Sequence, residues 1–129
     1  MPADAEDSRQ LLSDIIADRS RHLCVVAYGA DVVGAAELVV VPNLTHHARP
    51  WAVVENVIVT KSARGNWAGT ALIEHLVNVA CARGCYKLHS GKQRADAHRL
   101  YRRLGFVPVA EGFKLYFDNT APPNVSTGY

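Results

Sequence analysis

Between Ser8 and Asp18 the apolar positions fall at Leu11, Leu12, Ile15 and Ile16, with Arg9, Ser13, Asp14 and Asp18 turned away. That spacing fits one face of a 3.6-residue period and predicts an amphipathic helix. The rhythm then changes. Leu23–Tyr28 carries Cys24, Val25 and Val26 and ends at the turn pair Tyr28-Gly29. Val32–Val41 is a second apolar run, interrupted by Gly34 and stopped by Pro42-Asn43. Two such runs joined by a tight turn predict an antiparallel hairpin. After a polar loop from Asn43 to Pro50, Trp51–Thr60 reads as a third strand, apolar except for Glu55 and Asn56.

Lys61–Gly65 leads into a long helix from about Asn66 to Arg83, striped by Leu72, Ile73, Leu76, Val77 and Ala80. Gly84 stands where a left-handed C-cap belongs. Cys85–His89 reads as a short strand, Arg94–Leu104 as a second helix capped by Gly105, and Phe106–Ala110 and Gly112–Phe117 as two last strands. Strand–helix–strand from Trp51 to His89 is a βαβ unit, so its strands should run parallel. The expected fold class is α/β, an α+β mixed sheet antiparallel first and partly parallel later. Asn119–Tyr129, with Pro122-Pro123, has no period and is expected to be a disordered tail. One domain over residues 1–118 is expected.

Composition narrows the classes. The chain has 129 residues, 49% hydrophobic and 20% charged, enough apolar surface for one core and too much for a disordered chain. A net charge of +2 makes nucleic acid no default partner. No apolar run reaches the roughly 20 residues a membrane span needs. Met1–Arg9 is acidic and polar, without the pattern of a signal peptide. Cys24, Cys81 and Cys85 are an odd number and read as reduced thiols of a cytoplasmic protein.

The most informative stretch for chemistry is Arg64-Gly65-Asn66-Trp67-Ala68-Gly69-Thr70. It leads off a strand into a helix, so it delivers unpaired backbone N–H groups at the positive end of a helix dipole, a ready anion site. Gly65 and Gly69 permit close approach, and Arg64 adds a planar donor fork. The same residues also make an ordinary tight strand-to-helix turn. Glu55 is out of place in a strand buried on both faces and must be paired, wet or functional. It is the candidate general base, or an edge carboxylate facing solvent; Asn56 alternates to the opposite face and reads as structural. His46, His47 and Arg49 lie on the loop leading into the Glu55 strand, where they could touch an acceptor or simply be solvated. Lys92, Arg94, Arg99, Arg102 and Arg103 could meet a phosphate or form a solvated face. No metal site is expected, because Cys81 and Cys85 straddle the Gly84 helix stop and His75 and His89 lie on different elements.

Three segments in this order, Val57-Ile58-Val59, Arg64-Gly65-Asn66-Trp67-Ala68-Gly69 and Ala97-His98-Arg99-Leu100-Tyr101-Arg102-Arg103-Leu104-Gly105-Phe106, resemble the GNAT superfamily of acyl-CoA N-acyltransferases. The match covers roughly Leu23 to Phe117. Val54-Glu55-Asn56-Val57-Ile58-Val59, Arg64-Gly65 and Gly84-Cys85-Tyr86-Lys87 are similar to the glucosamine-6-phosphate N-acetyltransferase branch. Pro42-Asn43-Leu44-Thr45 and Arg49-Pro50-Trp51 are similar to small bacterial acetyltransferases of undefined substrate. The resemblance implies a GNAT-like fold with acetyl-CoA wedged between splayed parallel strands. The backbone at Val57, Ile58 and Val59 would hold the pantetheine arm, and the amides from Arg64 to Thr70 (Arg64, Gly65, Asn66, Trp67, Ala68, Gly69, Thr70) the pyrophosphate. Tyr101 would be the general acid that returns a proton to the CoA thiolate; its bland alternative is an amphipathic core tyrosine. Acetyl-CoA is thus the expected donor and a small-molecule primary amine the acceptor. The alternative is a catalytically inactive GNAT-fold module that senses CoA or binds another protein.

The chain departs from the family pattern in three places. Trp67 stands at the usual central loop glycine, and Arg94 where many relatives have an Asn contacting the cofactor. Met1–Asp7 cannot supply the first strand and helix that relatives carry ahead of Ser8–Asp18. An exposed sheet edge would remain, and with the aromatic Phe113–Phe117 segment it predicts a homodimer.

Overall fold

The valine-rich runs of the first half form three strands on short connections, and the alanine- and leucine-rich run after them forms the long helix. The computed structural model describes residues 5–63, 67–90, 99, 101–108 and 115–118. Its elements are α1 (Ala5–Ala17), β1 (Arg21–Tyr28), β2 (Asp31–Val41), β3 (Trp51–Val59), a 3-10 turn (Lys61–Ala63), α2 (Trp67–Ala82) and β4 (Leu88–Ser90). They form one sheet in the order β1-β2-β3-β4. The β1–β2 and β2–β3 pairs are antiparallel and β3–β4 is parallel, as the hairpin and βαβ readings require. No helix among the described residues is long and apolar enough to cross a membrane.

The core lies between α2 and one face of the sheet. Leu72, Ile73, Leu76 and Ala80 of α2 are buried against Ala36, Leu38 and Val40 of β2 and Ala52 and Val54 of β3, each large side chain stabilising the fold by about 2 kcal/mol. Gly34 marks the closest approach. A Cβ there would stand 2.9 Å from Val26 Cγ1, 3.1 Å from the Ile58 carbonyl oxygen and 3.1 Å from Leu72 Cδ1.

Both glycine stops behave as expected. Gly84 has φ 79° and Gly105 φ 94°. Cys85 N–H donates to the Ala80 carbonyl and Gly84 N–H to that of Cys81. Phe106 N–H likewise donates to Tyr101 and Gly105 N–H to Arg102. Both are Schellman closures, which satisfy helix-end carbonyls through a left-handed residue.

Three expectations change. The strand expected from Cys85 begins at Leu88, because Cys85 N–H closes the helix and Tyr86 N–H donates to the Pro50 carbonyl. Phe106–Pro108 and Leu115–Asp118 are not strand; Pro108 has no N–H for a ladder. The rest of those two expected strands, the first part of the Arg94–Leu104 helix and the Asn119–Tyr129 tail lie outside the described residues. Finally, α1 forms but buries no residue. Leu11, Leu12 and Ile16 are exposed, as are Leu23, Val25 and Ile58 on the sheet face away from α2.

His22 of β1 and His75 of α2 bring their Nε2 atoms to 3.1 Å. Loss of water, then the charges of His75 and Arg83, hold His22 below its ordinary pKa. The folded protein therefore resists a proton that the unfolded chain accepts. Above about pH 6.5 the two states match; as pH falls through that value stability drops, until the folded-state pKa is passed. The melting temperature should fall between pH 7.5 and 5.5, and His22→Gln should remove part of that fall; an unchanged pH slope would contradict it. Gly34→Ala should destabilise by about 1–3 kcal/mol, read as a lower midpoint in urea.

Candidate active site

β3 and β4 are paired only at Ala52↔Leu88, Val53↔His89 and Val54↔Ser90. The residues that follow Ser90 in the chain lie outside the described ones. At the last of these pairs Ser90 Oγ is buried without a hydrogen-bond partner. A buried hydroxyl in that state is costly unless something else completes it. Nothing in the sequence marked Ser90, since its significance lies in its burial without a partner.

β3 also changes face at this point. Ala35 pairs with Ile58 and Glu37 with Glu55, so β3 uses three steps where β2 uses two: a β-bulge. Its residue Asn56 has φ 55°, a left-handed conformation that asparagine tolerates better than most residues. Before the bulge, Ala52 and Val54 face the core; after it, Val57 and Val59 pack there. Glu55 and Asn56 are both exposed. Simple alternation put Asn56 opposite Glu55; the extra residue instead lets Asn56 Nδ2 donate to Glu37 Oε2 at 3.3 Å.

Glu37, not Glu55, is the buried carboxylate, at 4% exposure. Arg21 Nε and Nη2 both engage its Oε1. Glu37 sits in β2 between Leu23 and Glu55 in register, hence directly across from Glu55 on the sheet face away from α2. The sequence reading passed over Glu37, although a carboxylate inside the Val32–Val41 apolar run was the same signal that singled out Glu55.

Tyr101 is buried at 8%, within the core cluster that includes Val54 and Leu72, and its ring meets Phe106 at 5.3 Å. It does not share the open face with Glu55. Trp67 opens α2 with 48% of its surface exposed, so the indole is not drawn into the core, whereas Ala68 is fully buried and Gly69 and Thr70 are half-buried. Thr70 Oγ1 accepts a hydrogen bond from Arg103 at 3.3 Å. Arg64, Gly65, Asn66 and Arg94 lie outside the described residues.

His46, His47 and Arg49 lie at the opposite end of β3 from the 3-10 turn, separated by the strand's length at about 3.3 Å per residue. His46, His47 and Ala48 all have positive φ, 54°, 60° and 60°. Asn43 Nδ2 braces the loop by donating to the Thr45 and Arg49 carbonyls. His46 stacks on Tyr86 at 3.9 Å. Arg49 donates to the carbonyls of Gly84 and Cys85, where a cation complements a helix C-terminus. Burial pushes the thiols of Cys24 and Cys85 up, which makes them poor nucleophiles. Among the described residues no group of three or more His, Cys, Asp or Glu side chains is arranged to hold a metal ion.

A parallel strand pair joined through a long helix, with a bulge in its first strand, is arranged as in a known family. The family model described as "Acetyltransferase (GNAT) family" matches residues 2–106. This chain belongs to the GNAT family. Glucosamine 6-phosphate N-acetyltransferase of Trypanosoma brucei brucei is 35% identical over 75 residues, 58% of this chain and 50% of that protein. The chain thus spans about half the length of the curated relative it matches. Among solved structures, one described as an acetyltransferase from Agrobacterium tumefaciens strain C58 superposes with TM-score 0.82 at 28% identity, covering 90% of this chain and 82% of that one. A transcriptional regulator from Bacillus halodurans C-125 does so with TM-score 0.79 at 30% identity, covering 87% and 76%. The mixed sheet of this GNAT protein is accordingly the family's fold.

Proposed function

We propose that this protein transfers an acetyl group from acetyl-CoA to a primary amine of a small molecule by direct attack. The observation that carries the reading is the family match over residues 2–106, on a chain whose bulged β3 pairs with β4 up to the buried, unpartnered Ser90 hydroxyl. The peptide-like amides of a pantetheine arm would meet the backbone of Val57, Ile58 and Val59 and would give the Ser90 hydroxyl a partner. The pyrophosphate would meet the amides from Arg64 to Thr70 at the start of α2, with Arg94 nearby in sequence to the Tyr101 helix. His46, His47 and Arg49 remain candidates for the acceptor's far end.

In the reaction the amine nitrogen attacks the thioester carbonyl carbon and a C–N bond forms. Backbone N–H groups near Val57 or Ile58 stabilise the oxyanion. The C–S bond then breaks and Tyr101 returns a proton to the CoA thiolate. Glu55, in contact with water, accepts the proton that the amine must lose. The T. brucei relative makes an amino sugar phosphate the first acceptor to try. No thiol participates, in keeping with the raised pKa of Cys24 and Cys85.

Acetyl-CoA with a panel of amines, read by release of free CoA thiol, should give turnover. Tyr101→Phe should cost about a hundredfold or more and Glu55→Gln about tenfold or more in kcat/KM, while Cys81→Ser with Cys85→Ser keeps the rate. Full rates in Tyr101→Phe and Glu55→Gln would remove these assignments. A second reading, a CoA-sensing or protein-interaction module without turnover, is supported by Trp67 at the loop and by the B. halodurans regulator. CoA binding by calorimetry without thiol release would favour it.

The chain also pairs with a second copy in this reading. β1 is the outer strand of the sheet, and its Leu23 and Val25 are exposed together with the apolar stripe of α1. Sedimentation at about 10–50 μM should give a dimer, since interfaces of about 1,600 Å² normally hold at such concentrations; a monomer would count against pairing.

A further inference from the structure

We infer that Glu37 is a positioning residue for the acetyl-transfer site: tied down by Arg21, it grips Asn56 and so fixes the β3 bulge that presents Glu55 and the following backbone. The inference rests on the proposed acetyl transfer for its kinetic consequence, but its structural content stands apart from it.

Three observations carry it. First, the bulge needs an anchor. Asn56 is held at φ 55°, where a side-chain-bearing residue pays a conformational cost unless its surroundings over-determine it. An unanchored extra residue can also migrate along the ladder, and every one-residue slip exchanges the two faces of a strand. Second, Glu37 is the group that reaches it. Its two carboxylate oxygens are divided, Oε1 to Arg21 and Oε2 to the Asn56 carboxamide. At 4% exposure water is a poor substitute for either partner, so the hydrogen bonds are hard to give up. Third, the arrangement is otherwise wasteful. Glu37 and Glu55 are directly opposite in register, and like charges so placed repel. The Arg21 guanidinium offsets that repulsion from β1, leaving Glu37 free to serve Asn56. The network therefore links three adjacent strands at the residue where β3 changes face. A shift of the bulge by even a fraction of a residue would move Glu55 and the Val57 amide together. Displacements near 1 Å at a reacting centre can cost about a hundredfold in rate.

The test is a double-mutant cycle in the full chain. Glu37→Gln keeps the shape, loses the ion pair and no longer presents two acceptor oxygens. It should lower kcat about tenfold to a hundredfold with KM for acetyl-CoA changed less than about twofold. Asn56→Gly accepts the left-handed conformation without a side-chain anchor. In that background Glu37→Gln should add less than about twofold, because the link between the two residues is already absent. An undiminished kcat in Glu37→Gln, or equal losses in both backgrounds, would overturn the inference and leave Glu37 with a purely structural role. Carbon-13 Cα and Cβ shifts of Asn56 provide a readout independent of turnover. They should show the left-handed conformation in the native chain and lose it in Glu37→Gln; unchanged shifts in a folded Glu37→Gln variant would defeat the inference. If the native protein releases no thiol from acetyl-CoA with any amine, the transfer reading fails while the shifts still decide the anchoring role.

Discussion

One extra residue in β3 decides how the rest of the molecule is used. Up to Val54 the even-numbered side chains of the strand fill the core beneath α2; from Val57 onward the odd-numbered ones do. Without the bulge, the core could be continuous or Glu55 could face away from it, but Val54, Val57 and Val59 could not all point inward. The described β3–β4 pairing reaches Val54↔Ser90, just before the bulge.

Much of this was legible in the residues, and the reasons are specific. Helix ends were readable because Gly84 and Gly105 are the positions where a left-handed residue is needed, and both have positive φ. The βαβ unit was readable because a long apolar stripe follows a strand and leads to another. What was not readable depends on register. A bulge carries no composition signal, so alternation places Asn56 on the wrong side, and the pairing of Glu37 with Asn56 follows only from the register. An apolar strand predicts either an enclosed, functional Glu55 or one facing solvent, and its side chain is exposed.

The loop before β3 shows the converse case, in which polar residues do structural work. Asn43, Thr45, His46 and Arg49 form a braced turn against Tyr86 and the carbonyls that follow α2. Pro50 accepts from Tyr86 N–H, and Ala52 N–H donates to the Lys87 carbonyl. These contacts align the first residues of β3 with the approach to β4, so the parallel ladder starts in register. Three left-handed residues in a row are sustained there by hydrogen bonds and stacking rather than by glycine. The loop lies several residues along β3 from the bulge, and a contribution to chemistry from it would require an acceptor long enough to span that distance.

The two carboxylates at the centre of the open face illustrate how environment divides labour between chemically identical groups. Glu37 and Glu55 are cross-strand neighbours, yet one is nearly buried and the other exposed. A carboxylate whose oxygens hold Arg21 and Asn56 is suited to fix a neighbouring strand in place. A carboxylate in contact with solvent has the opposite properties: it exchanges protons freely but holds nothing in place. In the proposed acetyl transfer both behaviours would be needed close together. A bulge that brings Asn56 round to Glu37 while leaving Glu55 toward water would supply them from adjacent positions of the same strand pair.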